Sequence, residues 1–215
     1  MQAHPLYDDE ALVAEVTRAH ARAGLTMLQL WITQPTEEKH AAWVLDVVAP
    51  PHKGRVLSLG SGIGGMEAAW AYARPDLQFT LVNRSRAQLD LTIGPGVRVC
   101  ADAMAYQPDQ FDGIPPDVIV MAYMLGHVLA PTLLKQAIDM LPPGGVALVL
   151  DIFDAEDAVQ PLLHYDAPRS VDMEAAGFTR EHVPQWHMHG PVDDMELFTR
   201  RVVERTKPAM WVYRA

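Results

Sequence analysis

Apolar residues are grouped along this chain in two different ways. Near the start they recur at helical spacing. Leu12, Val16, Ala19 and Ala23 fall three or four residues apart and predict a first helix. Ala41, Val44, Leu45, Val47 and Val48 form a second helical stripe. Thr36 offers a capping oxygen ahead of it, Glu37 and Glu38 put negative charge in its first turn, and Pro50-Pro51 stops it. Further on, the apolar residues come in short unbroken runs at 56–59, 79–82, 97–100, 118–121 and 146–150. These runs lack strict polar alternation, as expected of parallel strands covered on both faces. Helical stretches at 66–73 and 131–141 separate them, the second with Pro131 in its first turn. Two further strands are expected at 178–186 and 209–213, with a helix over 193–205 between them. Strand alternating with helix predicts a doubly wound α/β sheet. The division read from this pattern is a helical cap over 1–50 and one compact unit over 51–215.

Composition narrows the function classes. A chain of 215 residues fits one domain with a small appendage and buries enough core to need no disulfide. Cys100 is the only cysteine, so an intramolecular disulfide or a cysteine-rich zinc site cannot form. The formal net charge of -10 argues against a nonspecific grip on nucleic acid. No apolar run approaches the ~20 residues of a membrane helix. The start, Met1-Gln2-Ala3-His4-Pro5, lacks the basic and then apolar order of a secretory signal. The expectation is a cytoplasmic enzyme without a membrane partner; a homodimer is left open.

Candidate chemistry centres on Gly60-Ser61-Gly62-Ile63-Gly64-Gly65, which lies between the first strand and its helix. Glycines permit positive φ and close backbone approach, and the helix start offers free N–H groups. Ligands of open α/β sheets bind at the carboxyl ends of the strands. Taken alone the loop is ambiguous. Gly60, Gly62 and Gly65 also satisfy the dinucleotide fingerprint G-x-G-x-x-G, and a ligand-free tight turn is the plainer reading.

The surrounding segments separate these readings. Val56-Leu57-Ser58-Leu59-Gly60-Ser61-Gly62-Ile63-Gly64 resembles motif I of the class I S-adenosylmethionine (SAM)-dependent methyltransferases, V-L-D-L-G-x-G-x-G. Asn83 ends the second strand, Asp102 follows the third, and Pro116-Asp117-Val118-Ile119-Val120 resembles the family's fourth strand. Leu141-Pro142-Pro143-Gly144-Gly145 resembles its turn before strand five. The resemblance covers about residues 56 to 151, and its specificity lies in the order of the set. It implies a Rossmann-like, seven-stranded, mostly parallel sheet with an N-terminal helical lid, and SAM as cofactor. By resemblance, Gly60, Ser61, Gly62 and Gly64 lie against the methionine part. Asn83 reaches the ribose. Asp102, Ala103 and Met104 flank the adenine, with Asp102 accepting from its amine, and Ala122 lines the pocket. Two positions depart from the pattern. Ser58 stands where an acidic residue is common, and Asn83 replaces the usual ribose-binding acid, though its amide oxygen still accepts a hydroxyl proton. Asn83-Arg84-Ser85-Arg86-Ala87-Gln88 resembles N/T-x-S-x-x-Q of some small-molecule methyltransferases. That adds Arg84 and Gln88 to the cofactor-binding set and points to a small-molecule acceptor; the plainer reading of Gln88 is an exposed helix residue.

Methyl transfer from a sulfonium is an in-line displacement, helped mainly by positioning and electrostatics. The acceptor side therefore belongs near Tyr123-Met124-Leu125-Gly126-His127. His127 is the candidate base and Tyr123 a candidate contact; a structural hydrogen bond and packing are the competing readings. Trp186-His187-Met188-His189 is a candidate pocket edge, as are Asp151, whose alternative is a cap, and Leu162-Leu163-His164-Tyr165. Leu28-Gln29-Leu30-Trp31-Ile32 is a candidate lid. His187, His189, Asp193 and Asp194 match no familiar ligand spacing, so no metal is expected.

Three other classes compete. A nucleic-acid amino-methyltransferase needs N/D-P-P-Y/F after strand four, where this chain has Met121-Ala122-Tyr123-Met124; a cytosine C5 enzyme needs a Cys beside Pro, and Cys100 precedes Ala101. An NAD(P)-dependent oxidoreductase keeps the glycine loop but explains neither Asp102 nor the Pro-Gly-Gly turn. A non-catalytic SAM-binding domain is expected to show degenerate glycines, which this chain does not.

Overall fold

A computed structural model describes residues 10–27, 31–107, 113–128, 130–154, 169–183, 185–188 and 206–215. Helix α1 spans Glu10–Arg22 and α2 spans Glu37–Val48. The Thr36 hydroxyl accepts from the Lys39 N–H, as its capping position predicts, and Ala49 closes α2 in the left-handed region before the two prolines. Between the helices lies β1, Trp31–Ile32. The strands β2 (Arg55–Leu59), β3 (Gln78–Asn83), β4 (Val97–Cys100), β5 (Val118–Ala122) and β6 (Val146–Asp154) fall on the five apolar runs. They alternate with α3 (Gly65–Ala73), α4 (Arg86–Asp90) and α5 (Ala130–Met140). Then come α6 (Ser170–Ala175), β7 (Thr179–Arg180), β8 (His187–Met188) and β9 (Thr206–Arg214).

Seven strands form one sheet in the order β4-β3-β2-β5-β6-β9-β7. The first five pair in parallel, while β9 runs antiparallel to both β6 and β7. This is the expected doubly wound, Rossmann-like sheet, mostly parallel. The chain leaves β2 in one direction for β3 and β4, then returns to its other side for β5. That reversal opens a crevice at the carboxyl ends of β2 and β5.

Both faces of the sheet are covered, which accounts for the unbroken apolar runs. Leu57, Leu59, Ile119, Met121 and Val149 face one side, against Leu133, Leu134 and Ala137 of α5 and Met173 of α6. Their strand neighbours Val56, Val118, Val120, Leu148 and Leu150 face the other, against Val44 and Leu45 of α2 and Trp70 of α3. Trp70 also donates its indole N–H to the Ala41 carbonyl at 2.7 Å, tying α3 to α2. It is 1% exposed. Trp70→Ala is therefore expected to cost about 3–5 kcal/mol of stability, read by denaturant unfolding; an unchanged midpoint would remove Trp70 from the α2–α3 joint.

The strand expected over 178–186 is corrected to Thr179–Arg180 within that range, with a second short strand just beyond it. Only Thr179–Arg180 joins the main sheet, and His187–Met188 pairs with β1 in a separate antiparallel ribbon. Pro184, between them, has no N–H to carry a ladder onward. The helix expected over 193–205 lies outside the described residues.

Candidate active site

The glycine loop turns from β2 into α3 under tight backbone control. The Gly60 and Ser61 N–H groups both donate to the Val82 carbonyl, at 2.8 and 3.1 Å. Gly60, Gly62 and Gly64 take φ of 70°, 58° and 70°, the left-handed region that a side chain disfavours. Gly64 caps α3 with no side-chain hydrogen bond to the helix start. The pocket beside this loop is walled by the ends of four adjacent strands. Gly60, Ser61 and Gly62 follow β2, Asn83 ends β3 and Arg84 follows it. Ala101, Asp102 and Ala103 follow β4, Ala122 ends β5 and Tyr123 follows it.

Asn83 is buried. Its amide Nδ2 donates to Gln88 Oε1 at 2.8 Å and to the Gly62 carbonyl at 3.3 Å. With the amine committed, its carbonyl oxygen is the group it offers the pocket. Gln88 also lines the pocket and is buried rather than exposed; its Nε2 donates to the Thr17 hydroxyl at 3.3 Å, which donates to the Val13 carbonyl at 2.7 Å. Helix α1 thus braces the end of β3. Glu10 adds to the brace by accepting from Ser85 Oγ, Arg86 N and Ala87 N at 3.0–3.3 Å.

Asp102 uses one oxygen to accept the Met104 N–H at 2.9 Å. Met104 itself is not on the pocket wall: its side chain packs on the core. Ala103 and Ala122 stand on the pocket wall. Tyr123 takes φ of 54°, and its hydroxyl donates to the Trp31 carbonyl at 2.8 Å. Burial and then the nearby Asp151 charge push its pKa well above the usual phenol value. The hydroxyl is held protonated against the Trp31 carbonyl of β1. Asp151 is buried and acts as a cap, accepting from Leu125 N at 2.9 Å and Ile152 N at 2.8 Å. The backbone of His127 lies in a 3-10 turn over Leu125–His127; its side chain is outside the described residues.

Among the wall residues that sequence reasoning missed, Thr26, Met27 and Glu67 carry polar contacts. Thr26 and Met27 line the pocket just ahead of the expected lid segment, held by the Glu37 carboxylate, which accepts both their N–H groups. No local pattern announces that contact. Glu67 lines the pocket from α3; its one visible signal was an acid inside an otherwise apolar helix. Of the lid segment, Leu28, Gln29 and Leu30 lie outside the described residues, and Trp31 and Ile32 form β1. His187 is exposed and off the pocket wall. His189, Asp193, Asp194 and 162–165 lie outside the described residues, among which no metal-binding cluster occurs.

A family model described as a methyltransferase domain matches residues 34–204. No curated protein matches the sequence. Among solved structures, the chain is similar to the (4+2)-cyclase SpnF, with TM-score 0.71 and 15% identity over 95% of this chain and 93% of that one. It is similar to phosphoethanolamine N-methyltransferase 2 of Haemonchus contortus in complex with SAM, with TM-score 0.72 and 14% identity over 99% of this chain and 59% of that one. The plantazolicin methyltransferase BpumL in complex with S-adenosylhomocysteine gives TM-score 0.56 and 11% identity, over 83% and 82%. At such identities these likenesses establish the fold alone.

Proposed function

The chain belongs to the methyltransferase-domain family, and from that premise we propose that it transfers the methyl group of SAM to a small-molecule acceptor. The observation that carries this reading is the convergence of four strand ends on one pocket, with the glycine loop, Asn83, Asp102 and Ala122 each on a different strand end. The pocket's unmet polar groups fit the cofactor. Ser61 Oγ is buried without a partner, α3 starts without a side-chain cap, and Asn83 presents an acceptor oxygen. When bound, SAM supplies an electrophilic methyl on a sulfonium.

In this reading the Gly60–Gly64 backbone, Ser61 and the start of α3 meet the methionine part. Asn83 accepts from a ribose hydroxyl, steadied by Gln88. Asp102, kept in place by the Met104 N–H, accepts from the adenine amine beside Ala103, with Arg84 at the rim. His127 takes the proton where the acceptor carries one, and Tyr123 seats the N-terminal cap of residues 1–50 over 51–215. The small-molecule assignment is supported by neighbours named for phosphoethanolamine and plantazolicin. Family membership disfavours the oxidoreductase alternative, and the net charge of -10 disfavours a nucleic-acid acceptor. Among the described residues no helix is long and apolar enough to cross a membrane. The proposed setting is the cytoplasm.

The test is incubation with methyl-labelled SAM and an extract of the source cells, followed by mass spectrometry. A labelled product of low molecular mass is expected. Label confined to macromolecules would overturn the acceptor class, and cofactor binding with no transfer would favour a non-catalytic binding domain. Asp102→Ala is expected to weaken SAM binding by about 1–3 kcal/mol, the cost of a lost polar contact. An unchanged dissociation constant would remove Asp102 from the adenine site.

A further inference from the structure

The pocket wall holds a carboxyl group that the reading above does not use. Glu67, in the first turn of α3, is 3% exposed and lines the pocket next to the glycine loop. Its side chain is hydrogen-bonded to Ser58, the buried strand residue beneath the loop. Burial pushes its pKa above the usual carboxylate value, with the Ser58 bond and one from its own backbone N–H working against the rise. Among the described residues, no Lys, Arg or His forms an ion pair with it. A buried acid on a ligand-facing wall is costly to ionise unless a cation meets it there.

SAM brings such a cation. Its methionine part carries an ammonium, and the glycine loop and the start of α3 are the groups proposed to meet that part. Ser58 occupies the position where the resembling enzymes commonly carry an acid, so in this chain the carboxyl reaches the same corner from the helix instead of from the strand. We infer that Glu67, aimed by Ser58, is the counter-charge for the cofactor's ammonium group. The inference rests on the cofactor reading and adds to it the residue that selects for an intact amino-acid tail. The helix start would then face the tail's carboxylate while Glu67 faces its ammonium, so the two ends of the zwitterion are told apart.

The experiment compares three ligands by calorimetric titration of the wild type and Glu67→Gln. S-adenosylhomocysteine carries the ammonium without the sulfonium, SAM carries both, and 5′-methylthioadenosine carries neither. Glu67→Gln is expected to weaken S-adenosylhomocysteine and SAM by about 10- to 100-fold and to leave 5′-methylthioadenosine within about threefold, as for a lost charged hydrogen bond. Ser58→Asp added to Glu67→Gln returns a carboxyl from the strand and is expected to recover most of the loss, with melting temperature followed in each variant. Equal loss for all three ligands, a loss for SAM alone, or no loss would each overturn the inference while leaving the cofactor reading in place. A wild type that binds none of the three would overturn both.

Discussion

Gly62→Arg is expected to abolish cofactor binding while leaving the sheet folded. Gly62 lines the pocket at φ 58°, and its carbonyl accepts the Asn83 Nδ2. An arginine there carries a long cation into the space where the methionine part is proposed to lie. It also costs about 1–2 kcal/mol for a side chain in the left-handed region. That cost is smaller than the ~5–15 kcal/mol of a typical domain's stability, so the fold is expected to survive in a destabilised form. The measurement is a titration with S-adenosylhomocysteine, paired with circular dichroism to establish the fold. Wild-type affinity in a folded variant would show that the glycine loop is not the cofactor cradle.

Gly65→Ala acts by a different route and is expected to damage both stability and binding. A Cβ on Gly65 would stand 2.0 Å from the Thr26 carbonyl oxygen, 2.4 Å from its carbon and 2.9 Å from Met27 N. All three are backbone atoms, so no rotamer change relieves the overlap. The segment cannot yield freely either. The Thr26 hydroxyl and the Thr26 and Met27 N–H groups all bond to the Glu37 carboxylate at the start of α2. Either α3 shifts or the 26–27 segment leaves Glu37. The expected loss is about 1–3 kcal/mol of stability, the usual range for overpacking. Because Thr26 and Met27 line the pocket, binding weakens too. Hydrogen exchange should accelerate at the Thr26 and Met27 amides. An unshifted melting temperature with unchanged exchange would mean that the segment does not rest on α3.

The two substitutions differ in what makes them legible. Gly62 belongs to a spacing that any reader of the sequence can see. The sensitivity of Gly65 arises from Thr26, thirty-nine residues earlier, and no local pattern joins them. The same division runs through the site. Asn83 was readable as a strand-end acceptor, but its two amide bonds, to Gln88 and to the Gly62 carbonyl, required the fold. Gln88 was ambiguous between an exposed helix position and a site residue. Helix α1, arriving from the far end of the chain, buries it against Thr17. Tyr123 was readable as lying near the pocket, and only the fold sets its hydroxyl on the Trp31 carbonyl.

Strand lengths show a related limit. The last two long strands were expected over 146–150 and 209–213, where the apolar residues are. In the fold, β6 and β9 pair along nine positions, from Val146 opposite Arg214 to Asp154 opposite Thr206. The polar ends are strand because each is the other's partner, a condition that neither sequence segment contains by itself.

What the sequence by itself determined is the part written in short-range chemistry: unbroken apolar runs for a sheet covered on both faces, a threonine cap, and a glycine loop between strand and helix. Each of these needs only residues a few positions apart. What the tertiary structure decided is which distant groups meet at the pocket. Thr26 lies against Gly65, Tyr123 holds Trp31, and Glu67 stands beside Ser58. The reason is physical: local conformation is set by neighbours in the chain, whereas a buried polar group takes its partner from whatever the fold brings within hydrogen-bond reach.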